Sequence, residues 1–200
     1  MILAPELLGP ACRYRAIARQ GGGIVDTSLH FDKRFKAFHR FTIADTRGPL
    51  DVTIPVAKPA SHTTATYADI LISGHSPWWQ TMMTALESAY GRTPFFEFYA
   101  DDFLPLLNPD RVGTPMATLS ADLDNLVCRL LSIPAPTYTS DSPLLPTDCE
   151  RITPTATLAS KYTIAEPYWQ VRAQTLGFIP GLSILDLIFN LGPEATLLLT

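Results

Sequence analysis

The chain has 200 residues, 46% apolar and 17% charged, with a net charge of −4. That length and composition describe one folded domain with a core of its own and exclude a disordered or collagen-like chain. An acidic balance with a pI near 5.5 and no recognised binding motif excludes a nucleic-acid protein. The charge is unevenly spread: residues 1–60 carry +4 and residues 61–200 carry −8. A basic N-terminal portion either faces a phosphate-bearing ligand or pairs with the acidic remainder across the fold. The low charged fraction leaves room for a partner or a homo-oligomer interface.

Three cysteines, Cys12, Cys128 and Cys149, are odd in number and lack metal-ligand spacing, so neither a disulfide framework nor a metal site is expected. The start has no basic n-region before an apolar run, so a signal peptide is not expected. No apolar stretch reaches the ~18 residues of a membrane span. A soluble, cytoplasmic protein is the expectation.

In chain order, Ile2–Leu8 is a short apolar run ended by Gly9-Pro10. A helical stretch over Cys12–Gln20 follows, then a glycine break at 21–23 and a strand at Ile24–Asp26, the outline of a βαβ unit. After the basic-aromatic segment 31–40, Phe41–Ala44 and the alternating Leu50, Val52, Ile54 and Val56 form the arms of a hairpin with Asp45–Pro49 as its turn. Tyr67–Ser73 reads as another strand. Ser76-Pro77 and Thr93-Pro94 are start signals for two helices, the second running over Phe95–Leu107. Leu119 to Leu130 carries the period of a third helix, stopped before Pro134. Residues 132–163 are rich in Pro, Ser and Thr without a period and are expected as a loop wrapped over the surface. The last helix, Leu182–Leu191, is apolar on nearly every side, which buries it. Together these predict an α/β domain over 1–200: a mixed sheet, helices on both faces, a buried C-terminal helix and a pocket at the strand ends.

Ser183, Asp186 and Asn190, three and four residues apart, form one polar stripe on that buried helix. An unpaired carboxylate there costs several kcal/mol, so Asp186 needs a cation, several donors or a water-filled pocket. The stripe is therefore either a core network or part of a site. Lys33, Arg34, Lys36 and Arg40 are candidates to bind phosphate, with His39 beside them as acid or base, unless they form a solvated loop. Glu87, Glu97 and Asp102 offer a carboxylate pair for acid–base work, although carboxylates are also common on helix surfaces. Trp78-Trp79 is either packing or the lining of a ligand site. Cys12 sits where a nucleophile would, with nothing adjacent in sequence to activate it. No cofactor motif is present, and no cofactor is expected.

Three segments then add up: IADTRGPLDVTIPV from Ile43 after a basic approach ending in Arg40; Trp79-Gln80 followed by SAYGRTPFFEFYAD from Ser88; and Tyr168-Trp169-Gln170 followed by GFIPGLSILDLIFNLGPEA from Gly177. From about Pro5 to its end the chain resembles the WbqC-like family of bacterial proteins, in the shorter form of Bacteroidetes-type bacteria. Longer members place an extra α/β stretch where residues 134–163 lie. Many carry an Arg-Asn-Arg-like segment before the hairpin; the matching positions here are Phe38-His39-Arg40, so only Arg40 carries over. Trp79, Tyr90, Glu97, Asp186 and Asn190 match the family pattern.

The resemblance implies a role in O-antigen or other surface-glycan assembly, with transfer of glycine to a sugar as one suggestion. On that basis the expected site has Asp186, Glu97 and His39 as catalytic groups. Lys33, Arg40, Trp79, Tyr90, Tyr168, Ser183 and Asn190 would bind a small-molecule or nucleotide-linked sugar. The alternatives are a nucleotide-dependent activating enzyme and a non-catalytic partner of a glycan-assembly complex.

Overall fold

The computed structural model describes residues 1–61, 63–140, 155–164 and 167–200. It opens with the expected βαβ unit. Strand β1 (Ile2–Leu3) and strand β2 (Ile24–Asp26) pair in parallel around helix α1 (Ala11–Gln20). Gly21 ends α1 in the left-handed conformation at φ 69°, and the amides of Gly21 and Gly22 close on the carbonyls of Ala18 and Ile17. The parallel sheet is completed by β5 (Thr137–Thr139), which pairs with β2.

A separate antiparallel sheet follows the amphipathic alternation. β3 (Arg40–Asp45) and β4 (Gly48–Thr53) meet across a two-residue turn, Thr46-Arg47, with Asp45 opposite Gly48 and Arg40 opposite Thr53. Phe41, Ile43, Val52 and Ile54 are all buried on one side. Parallel and antiparallel pairing thus both occur, in two sheets, and the α/β class is as expected.

The segment expected as a strand over Tyr67–Ser73 instead begins as a 3-10 turn at Tyr67–Asp69. The Asp69 carboxylate accepts from both the amide and the hydroxyl of Thr66, which rolls the backbone out of the extended form. Only single bridges remain, Ile72 to Val56 and Leu71 to Pro115.

Helices α2 (Trp78–Tyr90), α3 (Phe96–Phe103) and α4 (Met116–Leu130) come next. α3 is shorter than expected because Leu104, just before Pro105, ends it. α5 (Thr155–Lys161) and α6 (Ala173–Leu176) are short. The rest of the loop expected at 132–163 lies partly outside the described residues. Within it, β5 was invisible as a pattern because three residues, Thr-Tyr-Thr, carry no readable alternation.

α7 (Ile184–Leu191) is buried at every position from Ile184 to Asn190, and α8 (Ala195–Leu199) follows a 3-10 turn. Phe189 lies at the centre of an aromatic cluster, with ring centroids 5.3 Å from Tyr90, 5.1 Å from Phe96 and 5.9 Å from Phe103. One apolar cluster joins these helices to both sheets. Among the described residues no helix is long and apolar enough to cross a membrane.

Candidate functional site

The polar stripe on α7 is a set of fasteners. Ser183 caps the helix by accepting the Leu185 amide and donates its hydroxyl to the Leu8 carbonyl at 2.8 Å. Its own amide donates to Thr42 O, and that of Ile184 donates to Gly9 O, so the start of α7 holds β3 and the β1–α1 loop together. Asn190 donates to the Asp186 carbonyl and accepts the Val171 amide at 2.9 Å.

Asp186 is 1% exposed and, among the described residues, no cation forms an ion pair with it. Its Oδ2 accepts from the Tyr168 hydroxyl at 2.6 Å and the Gln170 amide at 2.9 Å, while Oδ1 has no hydrogen-bond partner of good geometry. Burial pushes its carboxyl above the usual range, and the neutral donors only partly oppose this. Gln170 is itself fixed by a two-way pair with the Ile179 backbone. The hydroxyl of fully buried Tyr90 accepts the Ala44 amide at 3.3 Å; burial first, and the nearby Asp186 charge second, raise its pKa.

Two cavities open beside these fasteners, sharing Pro10 and Gly181 as a common wall. The larger, about 350 Å³, is lined by Glu6, Leu8, Phe35, Arg40, Thr42 and Ser183 among others. The smaller, about 250 Å³, is lined by Cys12, Ile164, Tyr168, Phe178 and Leu182. Both lie beside the connection by which β1 runs into α1, the larger against Glu6–Pro10 and the smaller against Pro10–Cys12. Arg40 is set on the first wall by Thr53 Oγ1 at 2.9 Å and Asp51 at 3.1 Å. Tyr168, stacked edge-on to Phe178 at 5.3 Å, presents an aromatic face to the second. Burial raises the Cys12 thiol to about 11, so it sits there protonated at neutral pH.

The remaining expected residues fall elsewhere. Glu97 is exposed in the first turn of α3 and lines neither cavity. Lys33 is exposed two residues before Phe35. His39 is half-buried with Nδ1 3.0 Å from the Ile54 carbonyl, which places a proton on that nitrogen; burial lowers its pKa. Trp79 is half-buried and meets Trp78 edge-on at 5.8 Å. Arg40, Ser183 and Tyr168 therefore line the cavities, Asp186 holds Tyr168 from behind, Asn190 ties α7 to Val171, and Tyr90, Glu97, Lys33, His39 and Trp79 lie outside them.

Behind Glu6 is a buried network that sequence reasoning missed. Arg13, fully buried, donates to Asp124 at 3.0 Å and to Ala4 O at 2.8 Å. Tyr14 and Tyr138 also donate to Asp124, at 2.6 and 2.8 Å. The available signal was Arg13 itself, standing on the apolar face of α1 beside Cys12, Ala16 and Ile17. Among the described residues no group of three or more His, Cys, Asp or Glu side chains is arranged to hold a metal.

These features define an α/β protein with two adjacent cavities beside its β1–α1 connection. The chain belongs to the WbqC-like protein family, whose model matches residues 24–155. The matched span includes Arg40, Trp79, Tyr90 and Glu97 but ends before the segment that carries Tyr168, Ser183, Asp186 and Asn190. No curated protein and no solved structure matches the chain.

Proposed function

We propose that this protein is an enzyme of bacterial surface-glycan assembly, a transferase that passes an aminoacyl or acyl group to a nucleotide-linked or lipid-linked sugar. The observation that carries this reading is the pair of adjacent cavities. One has the Arg40 guanidinium and Thr42 set among apolar residues such as Leu8, Phe35 and Phe41, the other is walled by aromatic and aliphatic side chains, and Pro10 and Gly181 line both. Such a division suits a ligand with an anionic part and an apolar or ring part. Arg40 meets the phosphate, and its planar fork, already oriented by Asp51 and Thr53, lowers the ordering cost of binding. Tyr168 packs against the other part, oriented by Asp186 and Gln170. Asp186 is thus a positioning residue, one shell behind the ligand. Glycan context comes from the family resemblance.

A thermal-shift series with nucleotide sugars, ATP and glycine-type donors tests the reading. A nucleotide sugar should stabilise the wild type, and Arg40→Ala should lose that shift. If nothing stabilises the protein, and Arg40→Ala together with Asp186→Asn leaves glycan synthesis intact in cells, the enzyme reading fails.

A second reading, a non-catalytic partner in a glycan-assembly complex, is favoured by the exposure of Phe98 at 75% and Leu197 at 77%. Arg40→Ala would then leave function intact, whereas Phe98→Ser would remove it.

A further inference from the structure

We infer that Gln170 is a positioning residue for the smaller cavity: it latches the segment between Gly177 and Gly181 shut as a lid over that cavity. The inference deepens the proposed function, on which it rests for what the lid would enclose. Phe178, Pro180 and Gly181 line that cavity together with Pro10 and Cys12 from the start of α1. Pro180 is exposed and Phe178 half-buried, so this piece of chain lies between the cavity and solvent. Cys12, on the other element, is only 9% exposed.

The two ends of the segment are glycines, both at φ 73°. A Cβ at either would meet nothing within 4 Å, so glycine stands there for its backbone conformation and not for room. At Gly177 ψ is 179°, a combination that residues with a Cβ essentially never hold. Two points that turn freely, with no packing to disturb, are the joints a lid needs.

Between the joints little holds the segment down. Among the described residues, the hydrogen bonds of residues 178–180 are the two that Gln170 makes with Ile179. Gln170 Nε2 donates to the Ile179 carbonyl and the Ile179 amide donates to Gln170 Oε1, each at 2.9 Å. Phe178 adds an edge-on contact with Tyr168. The catch itself is fixed: Gln170 is 4% exposed, and its Nε2 also donates to Asp186 Oδ2 on buried α7 at 2.9 Å. Beside it, the Val171 amide is tied to Asn190. Opening the lid therefore breaks two hydrogen bonds and leaves α7 intact. Such an opening belongs to the low-stability end of a structure, from which ligand gates are drawn.

The chain carries its own reporters: Cys12 for the cavity, and Cys128, 1% exposed on α4, for the core. Labelling of the full chain with N-ethylmaleimide, read by peptide mass spectrometry, gives both rates at once. Gln170→Ala removes both latch bonds and should speed Cys12 labelling about tenfold or more, with Cys128 unchanged. Gly177→Ala strains the closed form, leaves Gln170 intact and should speed Cys12 as well. In the wild type, the Ile179 amide should exchange hydrogen through an opening that low urea does not affect, while the amides of α7 follow global unfolding. Cys12 rates unmoved by both variants, Cys12 and Cys128 rising together in both, or Ile179 exchanging with the urea dependence of α7, overturns the lid. These measurements need no ligand, so the lid can fail while the transferase reading stands. Repeating the labelling with the nucleotide sugar of the thermal-shift series covers the reverse. Protection of Cys12 supports both, whereas intact latch effects without protection keep the lid and count against that ligand.

Discussion

Two buried carboxylates, Asp124 on α4 and Asp186 on α7, are each 1% exposed, and the chain handles them in opposite ways. Asp124 receives a guanidinium and two tyrosine hydroxyls, a complete set for its two oxygens. Asp186 receives a tyrosine hydroxyl and an amide on one oxygen only. The first is a charge pair whose members depend on each other across 111 residues of chain. The second is a carboxyl whose pKa burial raises, next to a residue that lines a cavity. A buried acid with a matched cation reads as architecture; one held by neutral donors beside a pocket reads as support for a site.

The largest effect that separates them should come from Asp124→Ala. It strands the Arg13 guanidinium in the core and should cost about 3–5 kcal/mol of stability by urea denaturation. A loss under 1 kcal/mol would mean that water reaches Arg13 and that the pair is not closed. Tyr168→Phe removes one hydrogen bond to a carboxyl and should cost about 1.5–3 kcal/mol if Asp186 is charged, and less if it is protonated. Measuring it at two pH values decides which.

The pH dependence sharpens the contrast further. A carboxyl whose folded pKa is raised binds protons more readily folded than unfolded, so its contribution to stability declines as pH rises from the ordinary carboxylate value through the folded one. Asp186 and Glu6 both contribute in this direction. Glu6→Gln should therefore raise Tm at neutral pH, a gain that vanishes as the pH falls toward the ordinary glutamate value, 4.5. A gain that is the same at all pH values would contradict the raised carboxyl. Ser183→Ala, which removes a cap and a tie to Leu8, should cost about 1 kcal/mol. The smallest stability change, under about 1 kcal/mol, is expected for Arg40→Ala, because its partner Asp51 is half exposed.

Much of the fold follows from local rules. The hairpin is legible because Phe41, Ile43, Val52 and Ile54 alternate with polar residues, and α1 because Gly21 ends a helical pattern. The polar stripe on α7 was also legible, since Ser183, Asp186 and Asn190 stand out in an otherwise apolar helix. What they hold was not: Leu8, Thr42, Tyr168, Gln170 and Val171 reach them through tertiary contacts that no spacing encodes. β5 was missed because parallel pairing with β2 joins residues more than a hundred positions apart. Glu6 escaped notice for a related reason. It lies in a short apolar run, and only the return of Gly9 and the burial of Arg13 give its carboxyl a place.

The central claim is that a ligand occupies the two cavities at the junction of β1 and α1. Amide and side-chain chemical-shift mapping with a nucleotide sugar tests it most directly. Shifts confined to Arg40, Thr42, Gly181, Ser183, Tyr168 and the loop 6–10 are expected. Shifts centred instead on the separate depression lined by Lys58, Ser61 and Asp69, or no shifts at all, would contradict the account.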